Sequence, residues 1–188
     1  MALITEKRCT VEEYFELEKQ SEVRHEFVYG YLIEMAGESK RANEIAQNFI
    51  FSVRKELRKK GYATYEHDVR LMVRKGQIYR YPDAVIAPIL DDEDAYHVTQ
   101  PVLIVEVLSN STKETDRIDK LIEYRELPTL QYYFLIAQDT ISVELYRRNE
   151  KGIWEYVYFT DLYDTIELSY FGTRITLEAI YEGIVFSI

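Results

Sequence analysis

Seven residues constrain this chain more than any others: Val102-Leu-Ile-Val-Glu106-Val-Leu108. A continuous apolar run of this length, entered from Pro101, reads as a strand covered on both faces. One carboxylate stands inside it. An unpaired ionised carboxylate in such a place costs several kcal/mol, so a proton, a cationic side chain or a metal must compensate. Tyr81-Pro82-Asp83-Ala-Val-Ile-Ala87 repeats the problem, with Asp83 at the entry of an apolar stretch. Two neighbouring strands that each offer a carboxylate suit a hard cation such as Mg²⁺, which takes one or two carboxylates plus waters and phosphate oxygens. A purely structural arrangement fits the pattern equally well. Asp83 would then be a strand-edge residue held by backbone donors, and Glu106 would pair with Arg70 or Arg80.

The rest of the chain predicts a single α/β domain over residues 1–188, a mixed sheet flanked by helices. Thr10 and Glu13 form a capping-box pattern ahead of a helix over about 11–19. Strands follow at His25–Val28 and Tyr31–Met35, with a turn at Tyr29-Gly30. Ala42, Ile45, Ala46, Phe49, Ile50, Val53 and Leu57 recur at helical spacing, and Gly61 ends that helix after a basic last turn. A hairpin-like region over Ala63–Ile78 turns at Lys75-Gly76. The two apolar strands come next, Asp83–Ala87 and Val102–Leu108, with an acidic solvated loop between them at Asp91–Asp94. The polar stretch Ser109-Asn-Ser-Thr112 then turns into a helix over about 113–126, with Ile118, Leu121, Ile122 and Arg125 as its inward stripe. Strands at Tyr132–Ala137, Ser142–Arg148 and Trp154–Tyr158, a short strand near Ile166–Leu168 and a final helix near Leu177–Glu182 complete the order.

Charge and composition narrow the function. A net charge of −10 argues against a protein that coats nucleic acid non-specifically, because phosphate contacts need local Lys and Arg. It leaves room for an enzyme that meets DNA through a local surface and a bound cation. No apolar run is long enough to span a bilayer, and the first eight residues lack a signal-peptide core, so the expectation is a cytoplasmic protein without a membrane partner. The single cysteine, Cys9, excludes an internal disulfide and a cysteine-based zinc site. His25, His67 and His97 show no metal-ligand spacing and read as structural or exposed. Within the helix after Glu106, Asp116, Lys120 and Tyr124 are four apart and share one face. They read either as an i,i+4 ion pair or as a lysine aimed at the end of the Glu106 strand. The aromatic stretch from Trp154 through Tyr163 to Tyr170-Phe171 reads either as strand packing or as the interface of a homodimer.

Taken together, Tyr81-Pro82-Asp83, Pro101-Val-Leu-Ile-Val-Glu106-Val-Leu-Ser109, Ser111-Thr112, Asp116-Arg117, Lys120, Tyr124 and Pro128 resemble the Uma2 family. His25-Glu26-Phe-Val-Tyr-Gly30-Tyr-Leu-Ile-Glu34-Met35 fits the same family's first hairpin, and the resemblance covers roughly residues 10–185. It implies a restriction-endonuclease-like fold of the PD-(D/E)xK nuclease superfamily and metal-dependent hydrolysis of nucleic acid, DNA in particular, with Mg²⁺ or Mn²⁺. By position it implies Asp83 and Glu106 as metal ligands, the carbonyl of Val107 as a further ligand, and Glu26 as an additional acidic residue. The lysine expected two residues after Glu106 is Leu108, and Lys120 is the residue that could replace it from the helix. Asn43 stands where similar sequences often carry histidine. Leu108 and the acidic net charge also fit an alternative, a nuclease-fold protein that binds nucleic acid or protein without turnover.

Overall fold

The computed structural model describes residues 8–35, 37–89, 95–109 and 113–186. The acidic loop expected at Asp91–Asp94 and the turn at residues 110–112 lie outside this set. Helix α1 (Val11–Gln20) starts where the capping box places it: Thr10 Oγ1 accepts from the Glu13 backbone N–H at 3.2 Å, and Glu13 accepts from the Thr10 N–H at 2.8 Å. Strands β1 (His25–Val28) and β2 (Tyr31–Glu34) pair in register from Val28↔Tyr31. Tyr29 (φ 49°) and Gly30 (φ 91°) both take the left-handed backbone that a two-residue hairpin turn needs.

Helix α2 (Lys40–Lys59) is capped by Ser39, whose hydroxyl accepts from the Ala42 N–H at 3.0 Å. All seven residues of its predicted apolar stripe are buried. That stripe packs on a six-stranded sheet of order β11-β10-β9-β8-β6-β3. Here β3 is Tyr62–Glu66, β6 Ala84–Pro88, β8 Leu103–Leu108, β9 Tyr132–Ala137, β10 Val143–Arg148 and β11 Trp154–Phe159. Only β8 and β9 run parallel, so the sheet is mixed as the sequence predicts. Parallel neighbours need a crossover. It is made by helix α3 (Lys113–Thr115), a π turn over Asp116–Lys120 and helix α4 (Leu121–Arg125).

A second sheet, of order β2-β1-β5-β4-β7, adds β4 (Arg70–Arg74), β5 (Ile78–Arg80) and β7 (His97–Val98). This divides the expected Ala63–Ile78 hairpin. Lys75-Gly76 does turn β4 into β5, but β3 leaves for the large sheet and pairs with β6. A small core of Tyr14, Phe27, Leu32 and Tyr79 joins α1 to this second sheet. At the C-terminus β12 (Thr165–Leu168) pairs with β13 (Thr173–Thr176), a strand the sequence pattern did not announce. Helix α5 (Leu177–Ile180) follows and packs against α2.

The inward stripe of the crossover helix differs from expectation. Ile118 and Ile122 are 53 % and 61 % exposed, whereas Asp116, Lys120 and Tyr124 are buried. The helix turns its polar face inward because Glu106 awaits it there.

Candidate active site

Strand register assembles the site. Ala84 pairs with Val105, which sets Asp83 beside Glu106 at the end of β6 and β8. Glu66 pairs with Ala84, which carries the residue that follows that strand, His67, to the other flank of Asp83. The His67 N–H donates to the Asp83 carbonyl at 3.3 Å. Side chains alternate along a strand. In β8, Leu103, Val105 and Val107 enter the core under α2, while Ile104 and Leu108 enter the core that holds Tyr124. Glu106 lies on the Tyr124 side and is 4 % exposed.

Its compensation comes from the crossover helix. Lys120 Nζ lies 2.9 Å from Glu106 Oε1, 3.0 Å from Asp116 Oδ1 and 3.5 Å from Glu26 Oε1. The Tyr124 hydroxyl donates to Glu106 Oε1 at 3.0 Å. The Asp116 contact is a charge contact only, since Asp116 Oδ1 has no hydrogen bond of good direction among the described residues. The π turn brings this about in part. Such turns recur at functional sites, and here the Tyr133 hydroxyl donates to the Asp116 carbonyl at 3.0 Å.

The second sheet supplies the opposite wall. Glu26, on β1, accepts from Arg80 Nη1 at 2.6 Å, and Arg80, on β5, also grips Glu123 with two bonds at 2.7 and 2.9 Å. Arg80 therefore serves Glu26 and Glu123, and the cationic partner of Glu106 is Lys120. Arg70 lies over the rings of Tyr14 and Phe15.

The electrostatics follow from this inventory. Burial pushes Glu26 up, but Lys120 and Arg80 outweigh it and hold Glu26 below the usual carboxylate range. Lys120 is pushed down by burial and further up by Glu106, Glu26 and Asp116, so it keeps its proton. Glu106 moves well up: burial and the charges of Asp116, Asp83 and Glu26 outweigh Lys120. Asp83 is raised from 3.8 to about 6, by burial first, although the Val107 N–H donates to its Oδ2 at 2.5 Å. Asp83 and Glu106 are thus both short of positive charge. A divalent cation is the largest local charge a site can gain and would favour the ionised form of both. The donor set, hard carboxylate oxygens, suits Mg²⁺ or Mn²⁺.

Two groups stand outside the sequence expectation. Glu38, His67 and Asp83 each offer a ligand atom, and these atoms lie within 4.8 Å of one another. His67 looked structural because its sequence spacing is uninformative. The β3–β6 register brings it in, and nothing in the primary sequence reports register. Among the described residues no helix is long and apolar enough to cross a membrane.

A mixed sheet whose adjacent strand ends present two carboxylates, faced by a lysine from the crossover helix, defines a restriction-endonuclease-like α+β protein. The chain belongs to the Uma2 family, described as "Putative restriction endonuclease", whose profile matches residues 11–178. It is similar to two uncharacterized proteins of Synechocystis sp. One, sll1609, is 34 % identical over 157 residues, which is 82 % of this chain and 89 % of that protein. The other, slr1290, is 30 % identical over 180 residues, 95 % of this chain and 94 % of that one. A crystal structure described as a putative nuclease belonging to DUF820, from Anabaena variabilis, superimposes with a TM-score of 0.75 at 15 % identity. The match covers 94 % of this chain and 99 % of that one, and establishes a shared fold.

Proposed function

We propose that the protein is a metal-dependent endonuclease that hydrolyses phosphodiester bonds of DNA in the cytoplasm. One observation carries the reading: Lys120 Nζ stands 2.9 Å from Glu106, although position 108 holds leucine. Glu106 and Leu108 share a strand face, so a lysine at position 108 would reach the same pocket. Delivering the ammonium from the helix instead keeps the chemistry and leaves Leu108 to pack in the core beside Tyr124. This favours an active site over a nuclease fold that only binds.

Asp83 and Glu106 would hold the cation, with the Val107 carbonyl as a further ligand. When bound, it would polarise the phosphoryl oxygen and supply a water of lowered pKa. The chain's own residues do the rest. Lys120 places a fixed positive charge where negative charge develops on the phosphate. Tyr124 holds the Glu106 carboxylate in one orientation, leaving its second oxygen for the cation. Glu26, locked by Arg80, orients Lys120 from the opposite side. A second copy of the chain, meeting through the exposed Tyr156 and Tyr158 of the edge strand β11, would let two such sites address both strands of a duplex.

Supercoiled plasmid incubated with the purified protein and Mg²⁺ or Mn²⁺ tests the reading. Nicked and linear forms should accumulate with the native chain and not with Asp83→Ala or Glu106→Ala. Absence of cleavage, or equal cleavage by all three, would leave the protein a nuclease-fold binding module.

A further inference from the structure

Asp83 has neighbours on two sides. On one stand Glu106 and Lys120. On the other stand His67 and Glu38, which the nuclease reading leaves without a task. Their ligand atoms come from three separate places: the approach to α2, the turn after β3 and the entry to β6. The imidazole and the two carboxylates meet although 29 and 16 positions separate them along the chain, and the geometry leaves each with an atom free to turn toward a shared ion.

We propose that Glu38, His67 and Asp83 form a binding site for a divalent transition-metal ion, the Mn²⁺–Zn²⁺ class, with the His67 imidazole selecting against Mg²⁺. Imidazole nitrogen suits transition metals, whereas Mg²⁺ takes oxygen and water. This deepens the nuclease reading by naming the ion class at Asp83, but metal binding stands independently of turnover.

The surroundings support the assignment. His67 Nδ1 faces Glu38 at 3.4 Å, and the Asn43 side-chain amide lies 3.0 Å from His67 Nε2 and 2.9 Å from Glu38. A metal-binding histidine characteristically uses its second ring nitrogen to bond an orienting partner. Asn43 occupies that place. Gln47 Nε2 in turn donates to Asn43 Oδ1 at 2.6 Å, so the amide is itself held. With Nδ1 on the metal, Nε2 carries the proton; turning the Asn43 and Gln47 amides together sets the Asn43 oxygen to accept it, lets the Gln47 oxygen accept from the Asn43 NH₂, and frees the Glu38 carboxylate for the ion. His67 also has φ 51°, which histidine adopts more readily than most residues but which asparagine tolerates better still. That fixes the variant to use: His67→Asn removes the imidazole without straining the backbone.

The test is calorimetric titration with MnCl₂ and with MgCl₂, paired with pulsed electron paramagnetic resonance of the Mn²⁺-loaded protein. Mn²⁺ should bind at least about tenfold more tightly than Mg²⁺, with a ¹⁴N coupling from a directly bound imidazole. His67→Asn should abolish that coupling and weaken Mn²⁺ by about tenfold or more while changing Mg²⁺ affinity less than twofold. Glu38→Gln should weaken Mn²⁺ and keep the ¹⁴N signal. Circular dichroism melting confirms that each variant is folded. No Mn²⁺ binding at millimolar concentration, no ¹⁴N coupling, or unchanged Mn²⁺ affinity in a folded His67→Asn protein would overturn the site. Plasmid cleavage is scored separately, so an inactive protein that still binds Mn²⁺ through His67 refutes the nuclease reading and leaves this one standing.

Discussion

Lys120→Met should cost about 3–5 kcal/mol of stability and reduce plasmid cleavage by about a hundredfold or more. The two losses have separate causes. Lys120 is 6 % exposed and is the cation nearest Glu106 and Asp116 among the described residues. Methionine fills the space and removes the charge, so two buried carboxylates lose their partner; Glu26 keeps Arg80. Losing the ammonium from Asp116 and Glu106, rather than losing a favourable ion pair as such, makes the truncation expensive. Adding Glu106→Gln to Lys120→Met should recover part of the stability, because glutamine is neutral in the folded and unfolded chain alike and folding then requires no proton uptake at this position. Cleavage should not return. Urea unfolding of the single and double variants measures the first effect and plasmid nicking the second. If Lys120→Met is as stable as the native chain, the buried network does not carry the charge balance described above.

Asp83→Asn should act in the opposite direction on stability. Asp83 is raised from 3.8 to about 6 by burial, which corresponds to roughly 3 kcal/mol against the folded, metal-free state at neutral pH. The sign is set by proton uptake. Between about pH 4 and 6 the folded protein holds a proton on Asp83 that the unfolded chain releases, so stability falls as pH rises through that window. Above about 6 the full penalty is present. Asparagine carries no charge and keeps a side-chain oxygen for the Val107 N–H, so metal-free Asp83→Asn should melt higher than the native chain at pH 7–8. The advantage should vanish below about pH 4. Cleavage should be lost throughout. A variant that is more stable and inactive is the expected signature of a residue kept for function at the expense of the fold. Thermal melts in a chelating buffer across pH 4–8 read this directly, and a lower melting temperature for Asp83→Asn at pH 8 would contradict it.

The fold was largely legible because its determinants are local. The α2 stripe, the Thr10 box, the Tyr29-Gly30 turn and the apolar β6 and β8 runs each announce their element in the sequence. Asp83 and Glu106 were conspicuous for a related reason: a carboxylate in an apolar strand violates a simple pattern. What the sequence withheld was long-range. The departure of β3 from its apparent hairpin, and the arrival of His67 beside Asp83, both depend on pairing with β6. The crossover helix misled for a sharper reason. Ile118 and Ile122 form the more apolar stripe and would face inward over an ordinary core. Here the buried partner is a carboxyl group, so the face bearing Asp116, Lys120 and Tyr124 turns in and the isoleucines turn out. Arg80 was visible as a candidate partner, but which acid it would meet was set by the pairing of β5 with β1.

In the proposed nuclease, Asp83 belongs to a divalent-cation site at the ends of β6 and β8. The most direct measurement is a crystal of the protein soaked in MnCl₂, with an anomalous difference map recorded at the manganese edge. The expected result is a peak bonded to the Asp83 carboxylate, within reach of Glu106 on one flank and His67 on the other. A map without density at Asp83, from a crystal that takes up manganese elsewhere, would contradict it.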